Sequence, residues 1–315
     1  MRAIVVHETG GPEVLLLEDV PWPEAGPGQV VVRTQAIGVS IVEAHMRAGI
    51  LPLPLPAVLG VEAVGEVVAT GEGVDQGLLG QTVGGVTGAT GSYAEYAAMP
   101  AAMVRPVPES VSAVEAVAAG AALAVALGLV RRAGLRAGET VLVEAGASNV
   151  GGYLIQLARE FGAGRVVATA GARDKRDRAE ELGADTVIDH REEGWTSQLD
   201  GIDVAFESIG GDSARGVVAA LTPGAGRMLY YGRLSGLAPA VTPDDLLGRG
   251  VSLVGCSGPA WFQETFDVHY PEAFARLADG RTTAAVGPTF PLEQAAQAHR
   301  LVEERGAQGK IVLIP

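Results

Sequence analysis

Cysteine is nearly missing from these 315 residues, with Cys256 standing alone. A single thiol excludes an intrachain disulfide and cannot assemble a Cys-rich structural zinc site. Aromatic residues are also few, at 5%, so buried strands must be written in Val, Ile, Leu and Ala, as in an α/β protein with a parallel sheet. Positive charge is in deficit: 23 Lys and Arg against 37 Asp and Glu leave a net charge of −14. That balance argues against a nucleic-acid partner, whose binding rests on neutralised phosphates. The longest apolar run, Ala116 to Val130, is interrupted by Gly120 and falls short of the ~20 residues a membrane span needs, so it reads as a buried helix and no membrane partner is expected. The first residues enter a strand-like pattern directly, without the features of a leader, which predicts a cytoplasmic protein.

What is present is punctuated and periodic. Up to about residue 118, short β-like runs (Val30–Val32, Val64–Val68, Tyr93–Ala97) alternate with Gly and Pro, the pattern of a compact, mostly-β domain. From Thr140 the rhythm becomes strand, helix, strand: Thr140–Ala145, Val150–Phe161, Arg165–Ala170, then a charged helix and Thr186–Asp189. Ile202–Phe206, Arg227–Tyr231 and Val251–Gly255 continue it, and such alternation predicts a doubly wound parallel sheet. After Pro259 come two helices, around Glu272–Ala278 and Leu292–Glu304, and a closing strand Lys310–Ile314. The expected division is 1–119 with 260–315 in the first domain and 120–259 in the second.

The turn Gly146-Ala147-Ser148-Asn149-Val150-Gly151-Gly152 joins a strand to an amphipathic helix, a geometry that aims backbone N–H groups and a positive helix end at a pyrophosphate. As a G-x-G-x-x-G fingerprint it lacks its middle glycine, replaced by Ser148, and an ordinary Gly-containing turn would look the same. The next strand adds a second sign. An acidic residue there would hold the ribose 2′-OH of NAD; instead the strand ends at Thr169 and is followed by Arg173 and Lys175, which would attract a 2′-phosphate, with Thr169 donating a further bond. The cofactor expected is therefore NADPH. The competing reading is a solvated helix face, since Asp174 and Asp177 interleave with Arg173, Lys175 and Arg176.

Several segments, in order along nearly the whole chain, resemble the quinone oxidoreductase branch of the medium-chain dehydrogenase/reductase family. They are Gly38–Gly49, Pro54-Leu55-Pro56, Leu59–Val67, Gly138–Val143, Leu182–Asp189, Gly226–Gly232, Phe290-Pro291-Leu292 and Gly309–Leu313. The resemblance implies a GroES-like mostly-β catalytic domain, a Rossmann domain, a cleft between them for the cofactor, and a homodimer. It places Ser40, Glu43 and His45 beside the nicotinamide as catalytic candidates, and Gly146, Ser148, Asn149, Val150, His190, Gly232 and Arg233 on the cofactor. Asn, Tyr and Thr are usual in the family at the positions of Ser40, His45 and Ala124, so three polar contacts differ. His45 is also readable as a structural histidine, and Glu43 stands one helical turn from Arg47, with which it could pair.

Zinc-dependent relatives use a Cys and a His at the positions of Ser40 and Val61, neither a normal ligand here. The implied chemistry is hydride transfer from NADPH to a small quinone or α,β-unsaturated carbonyl without zinc. An enoyl-thioester reductase of the same family is the first alternative. A catalytically weak NADPH-binding sensor or scaffold is the second.

Overall fold

The computed structural model describes residues 1–315, and its contacts divide the chain into Met1–Ala121 with Tyr270–Pro315, and Ala122–His269. The chain begins in the first unit with β1 (Arg2–Val6), β2 (Leu16–Asp19), β3 (Gln29–Val39), helix α1 (Ile41–Arg47) and β4 (Ala57–Val58). It continues through β5 (Glu62–Thr70), β6 (Thr82–Val86), β7 (Tyr96–Pro100) and β8 (Val104–Pro106) into helix α2 (Ala113–Ala133). Ser112 caps α2 with Glu115, each holding the other's backbone N–H at 3.2 and 3.0 Å, and Arg131 and Arg132 sit in its last turn, where the helix dipole favours cations. With this cap at its start and these cations at its end, α2 runs to 21 residues, beyond the apolar run. Its most apolar 18-residue window has mean hydropathy 2.1 and is 67% buried, as befits a core helix.

In the second unit β9 (Thr140–Val143), α3 (Asn149–Glu160), β10 (Arg165–Thr169), α4 (Arg173–Glu181), β11 (Thr186–Ile188) and β12 (Val204–Glu207) follow one another, then α5 (Ser213–Ala220), β13 (Arg227–Tyr230), α6 (Pro243–Leu247), β14 (Ser252–Gly255) and α7 (Pro259–Glu264). The strands pair in parallel in the order β11-β10-β9-β12-β13-β14, the doubly wound order whose switch point lies between β9 and β12. A core of Leu142, Val167, Ala205, Val217, Leu221 and Met228 backs the sheet.

A π-turn, Thr265–His269, ends this unit. The division falls ten residues later than the expected boundary at residue 259. The reason lies in packing on α2: a Cβ at Gly128 would meet His269 at 3.0 Å and Trp261 at 3.1 Å, and Arg131 bonds the His269 ring at 2.8 Å.

The tail returns to the first unit as α8 (Tyr270–Ala278), β15 (Val286–Pro291), α9 (Ala295–Glu303) and β16 (Lys310–Ile314). There β16 joins a mixed sheet, ordered β15-β16-β3-β5-β6-β8 with β7 on β3, antiparallel except for the parallel β15–β16 pair, while β2-β1-β4 form a smaller sheet. Val30, Val32, Ile37, Leu59, Tyr93, Met99, Ile311 and Leu313 share one core.

Candidate functional site

The turn after β9 is built by sterics. Ala145 takes φ +50°, a conformation costly for a residue with a Cβ, and its N–H is held by the Thr169 hydroxyl at 3.1 Å. Gly146 donates to the Thr169 carbonyl at 2.8 Å. A Cβ at Gly146 would reach Ala168 at 2.8 Å, and one at Gly151 would reach the Ala145 carbonyl at 2.3 Å, so the first and last positions of the fingerprint require glycine. Ser148 occupies the middle for a different reason: it is the N-cap of α3, its hydroxyl accepting from Gly151 N–H at 3.2 Å. Asn149 and Val150, both partly exposed, open the helix and have no carbonyl one turn earlier for their N–H groups.

Thr169 is fully buried and serves the turn; a bond from its hydroxyl to a ligand's 2′-phosphate does not fit that burial. The cations beyond β10 are arranged in two tiers. Arg173 opens α4 with its side chain 88% exposed, its nearest acid being Asp177 at 4.0 Å, and Lys175 is partly exposed on the same helix. Beneath them Arg176 bonds the Gly171 carbonyl and Asp189, both at 2.6 Å. Arg191 brackets Asp189 from the other side at 3.0 and 2.7 Å. Bonds from Arg191 are the main reason the Asp189 carboxyl is held well below the usual range, with Arg176 adding to them. The His190 ring lies over Gly171, where a Cβ would come within 3.1 Å of Nε2. Gly171, Arg173, Lys175, Arg176, His190 and Arg191 therefore surround one strand end. Arg176 was named only as part of a solvated helix face, and Arg191 was not singled out in the sequence; the run Asp189-His190-Arg191 just past β11 was the available signal. Gly232 and exposed Arg233 follow β13, and a Cβ at Gly232 would come within 3.2 Å of the Ser208 carbonyl.

In the first unit Ser40 and Glu43 are joined. Ser40 caps α1, accepting from Val42 N–H at 3.2 Å, while Glu43 accepts the Ser40 N–H at 3.0 Å and the Ser40 hydroxyl. Glu43 is buried, which raises its carboxyl above the usual range against the opposing pull of Lys310 and Ser40. It does not pair with Arg47: that guanidinium turns to Glu303. His45 is half-buried in the last turn of α1.

Behind this cap lies a buried ionic group that the sequence reading did not single out. Lys310 Nζ stands 3.1 Å from Glu62, which also accepts from Ala121 N–H at 3.2 Å and the Tyr270 hydroxyl at 3.4 Å. Burial works against the Lys310 charge, yet Glu62 and Glu43 together hold its ammonium above the ordinary lysine value. Gly38 makes room: a Cβ there would meet Lys310 at 2.7 Å and Glu62 at 3.0 Å. Only pairing across β3, β5 and β16 brings these residues together.

No group of three or more His, Cys, Asp or Glu side chains is disposed to hold a metal ion, and Ser40 is committed to Glu43. The donor set does not fit a catalytic zinc.

Comparison with known proteins agrees with both halves. Residues 26–109 match the alcohol dehydrogenase GroES-like domain family, and residues 182–313 match the family described as zinc-binding dehydrogenase. The whole chain is 32% identical to quinone oxidoreductase from Sus scrofa, covering 98% of it. It is 31% identical to 2-haloacrylate reductase from a Burkholderia species, covering 99% of that relative. Among solved structures, Escherichia coli quinone oxidoreductase complexed with NADPH superposes with a TM-score of 0.90 at 28% identity over all of both chains.

Proposed function

This chain belongs to the quinone oxidoreductase branch of the medium-chain dehydrogenase/reductase superfamily, and from that membership we propose that it is an NADPH-dependent reductase of quinones or α,β-unsaturated carbonyls, working without zinc. The observation that carries the reading is the strand end after β10. A phosphate turn with two sterically obligatory glycines stands next to a cluster of cations and no free acid, which suits a dinucleotide bearing a 2′-phosphate.

The residues fit such a cofactor. Gly146 and Gly151 leave room for close approach, and Asn149 and Val150 offer N–H groups to the pyrophosphate at the positive end of α3. Arg173, Lys175 and Arg191 would hold the 2′-phosphate, and His190 and Gly232-Arg233 would line the rest of the cofactor. When bound, NADPH supplies the hydride. Once Glu43 carries a proton, the Ser40 hydroxyl is released from it and can donate to the acceptor's carbonyl oxygen, where negative charge grows. A proton given up at Ser40 Oγ is replaced from that protonated Glu43 carboxyl, which touches it, and His45 is the second donor. With Ser40 and Val61 in place of ligands, no Lewis acid activates an alcohol. An already polarised C=C–C=O is the substrate class, shared by quinones and haloacrylates.

We assign the working form as a cytoplasmic homodimer. The open edge of β14 supports self-association: Ser252 and Cys256 donate inward to Gly226 and Tyr230 at 3.1 and 2.8 Å, so by strand alternation the Leu253 and Gly255 amides point outward.

The test is NADPH consumption against a panel of quinones, enones and enoyl thioesters, with and without a metal chelator. Sustained turnover unaffected by chelation is the expected result. Turnover confined to thioesters selects the carrier-linked alternative, and tight NADPH binding without turnover on any acceptor selects the sensor reading.

A further inference from the structure

A group of buried polar atoms lies directly under the phosphate turn and has no role in the account above. Glu144 is the residue between β9 and the turn, and Glu207 ends β12; their strands pair through Val143 and Phe206, and Glu144 N–H donates to the Phe206 carbonyl at 3.2 Å. The two carboxyls thus stand side by side at the switch point of the sheet. Glu144 is 1% exposed and Glu207 0%. With both ionised, both Glu144 oxygens and Glu207 Oε2 lack hydrogen-bond donors.

So many unmet buried acceptors are too costly to persist, and one proton resolves them. Glu207 Oε1 already accepts two amides, Ile209 at 2.8 Å and Gly210 at 2.6 Å, whereas Glu144 receives none. A proton on Glu144 turns it into a donor to Glu207, with which it shares a side-chain hydrogen bond, while the Ser208 and Tyr231 hydroxyls are turned to each other.

We propose that Glu144 and Glu207 share one proton at neutral pH, held on Glu144, and that its loss in alkaline solution puts a second negative charge beneath the phosphate turn and weakens NADPH binding. Glu144 is on this account a positioning residue. The claim about NADPH rests on the cofactor reading given above; the shared proton does not.

The surroundings agree. Desolvation, then the Glu207 charge, push the Glu144 carboxyl well above the usual range. No cation is among the groups acting on it. Tyr231 feels both carboxyls and Ser208, and Tyr230, the last residue of β13, feels Glu207 and the exposed Arg233. By linkage, a carboxyl raised in the folded state contributes stability that is complete below its unfolded value and is lost as pH rises through its folded value.

The experiment compares wild type with Glu144→Gln, which mimics the neutral acid, and Glu207→Gln, which removes the neighbouring charge. Infrared spectroscopy of the nucleotide-free proteins at neutral pH reads the C=O stretch of a protonated carboxyl. NADPH titrations from about pH 6 to about pH 9 read affinity. Expected are a protonated-carboxyl band in wild type that Glu144→Gln loses, any Glu43 contribution being common to both proteins, and an affinity that falls about tenfold with pH in wild type but stays level in Glu144→Gln. In Glu207→Gln the change in melting temperature with pH moves to lower pH. A wild type without the band, or a Glu144→Gln profile that tracks wild type, overturns the proposal. If the band is present but no protein binds NADPH at any pH, the shared proton stands and the cofactor reading falls.

Discussion

Lys310 carries its charge where water barely reaches, with Glu62 on one side and Glu43 further off. Removing one member of a buried pair strands the other. Lys310→Met is therefore expected to cost about 3–5 kcal/mol and to lower the melting temperature by roughly 10 °C. Adding Glu62→Gln to it should restore part of the loss, because the two residues act as a unit. Thermal melts of the single and double variants decide this, and an unchanged single variant contradicts it. The sign with pH is also set: a lysine raised in the folded state contributes stability that is complete below its unfolded value and lost above its folded one. None of this was readable beforehand, since Gly38, Glu62 and Lys310 are far apart in the chain and meet only through strand pairing. Ser40 and Glu43 were picked out by the family resemblance, and their mutual cap, three residues apart, replaces the expected pairing of Glu43 with Arg47.

At the scale of elements, the turn between β9 and α3 separates glycines required by sterics from a serine required by capping. Gly151→Ala drives a Cβ into the Ala145 carbonyl and should abolish nucleotide binding with a loss of about 1–3 kcal/mol. Ser148→Ala loses the cap, about 1 kcal/mol, whereas Ser148→Gly should cost a few tenths and free the Gly151 N–H. Chemical denaturation of the three variants checks the order, and a Gly151→Ala variant as stable as wild type contradicts it. The parallel strands were legible because each is a short apolar run between helix-length segments. Strand β15 was not: at the edge of its sheet, with Pro288 and Pro291 and a mostly exposed face, it lacks both the buried run and the alternation that mark a strand. Thr169 shows the limit for single positions, since its place at a strand end pointed to the ligand while its hydroxyl serves the turn.

For the whole molecule, the proposed self-association through β14 is open to a direct test. A Cβ at Gly255 meets nothing within 4 Å, and Gly255→Pro deletes an outward donor of the strand edge. Light scattering should find it monomeric with its fold retained, and a dimeric Gly255→Pro places the interface elsewhere. The expected division into two units was drawn from the change of rhythm between about residue 118 and Thr140. The far boundary did not, because Trp261 and His269 are apolar or weakly polar residues whose partner, α2, is more than a hundred residues away. The account as a whole rests on the cations around the end of β10, and the most direct test is a nucleotide titration of wild type and of the Arg173→Ala/Lys175→Ala double variant. A clear preference for NADPH over NADH that the double variant loses, about 1–3 kcal/mol of discrimination as charged hydrogen bonds supply, is the predicted result. Equal binding of both nucleotides by wild type, or a preference untouched in the double variant, would contradict it.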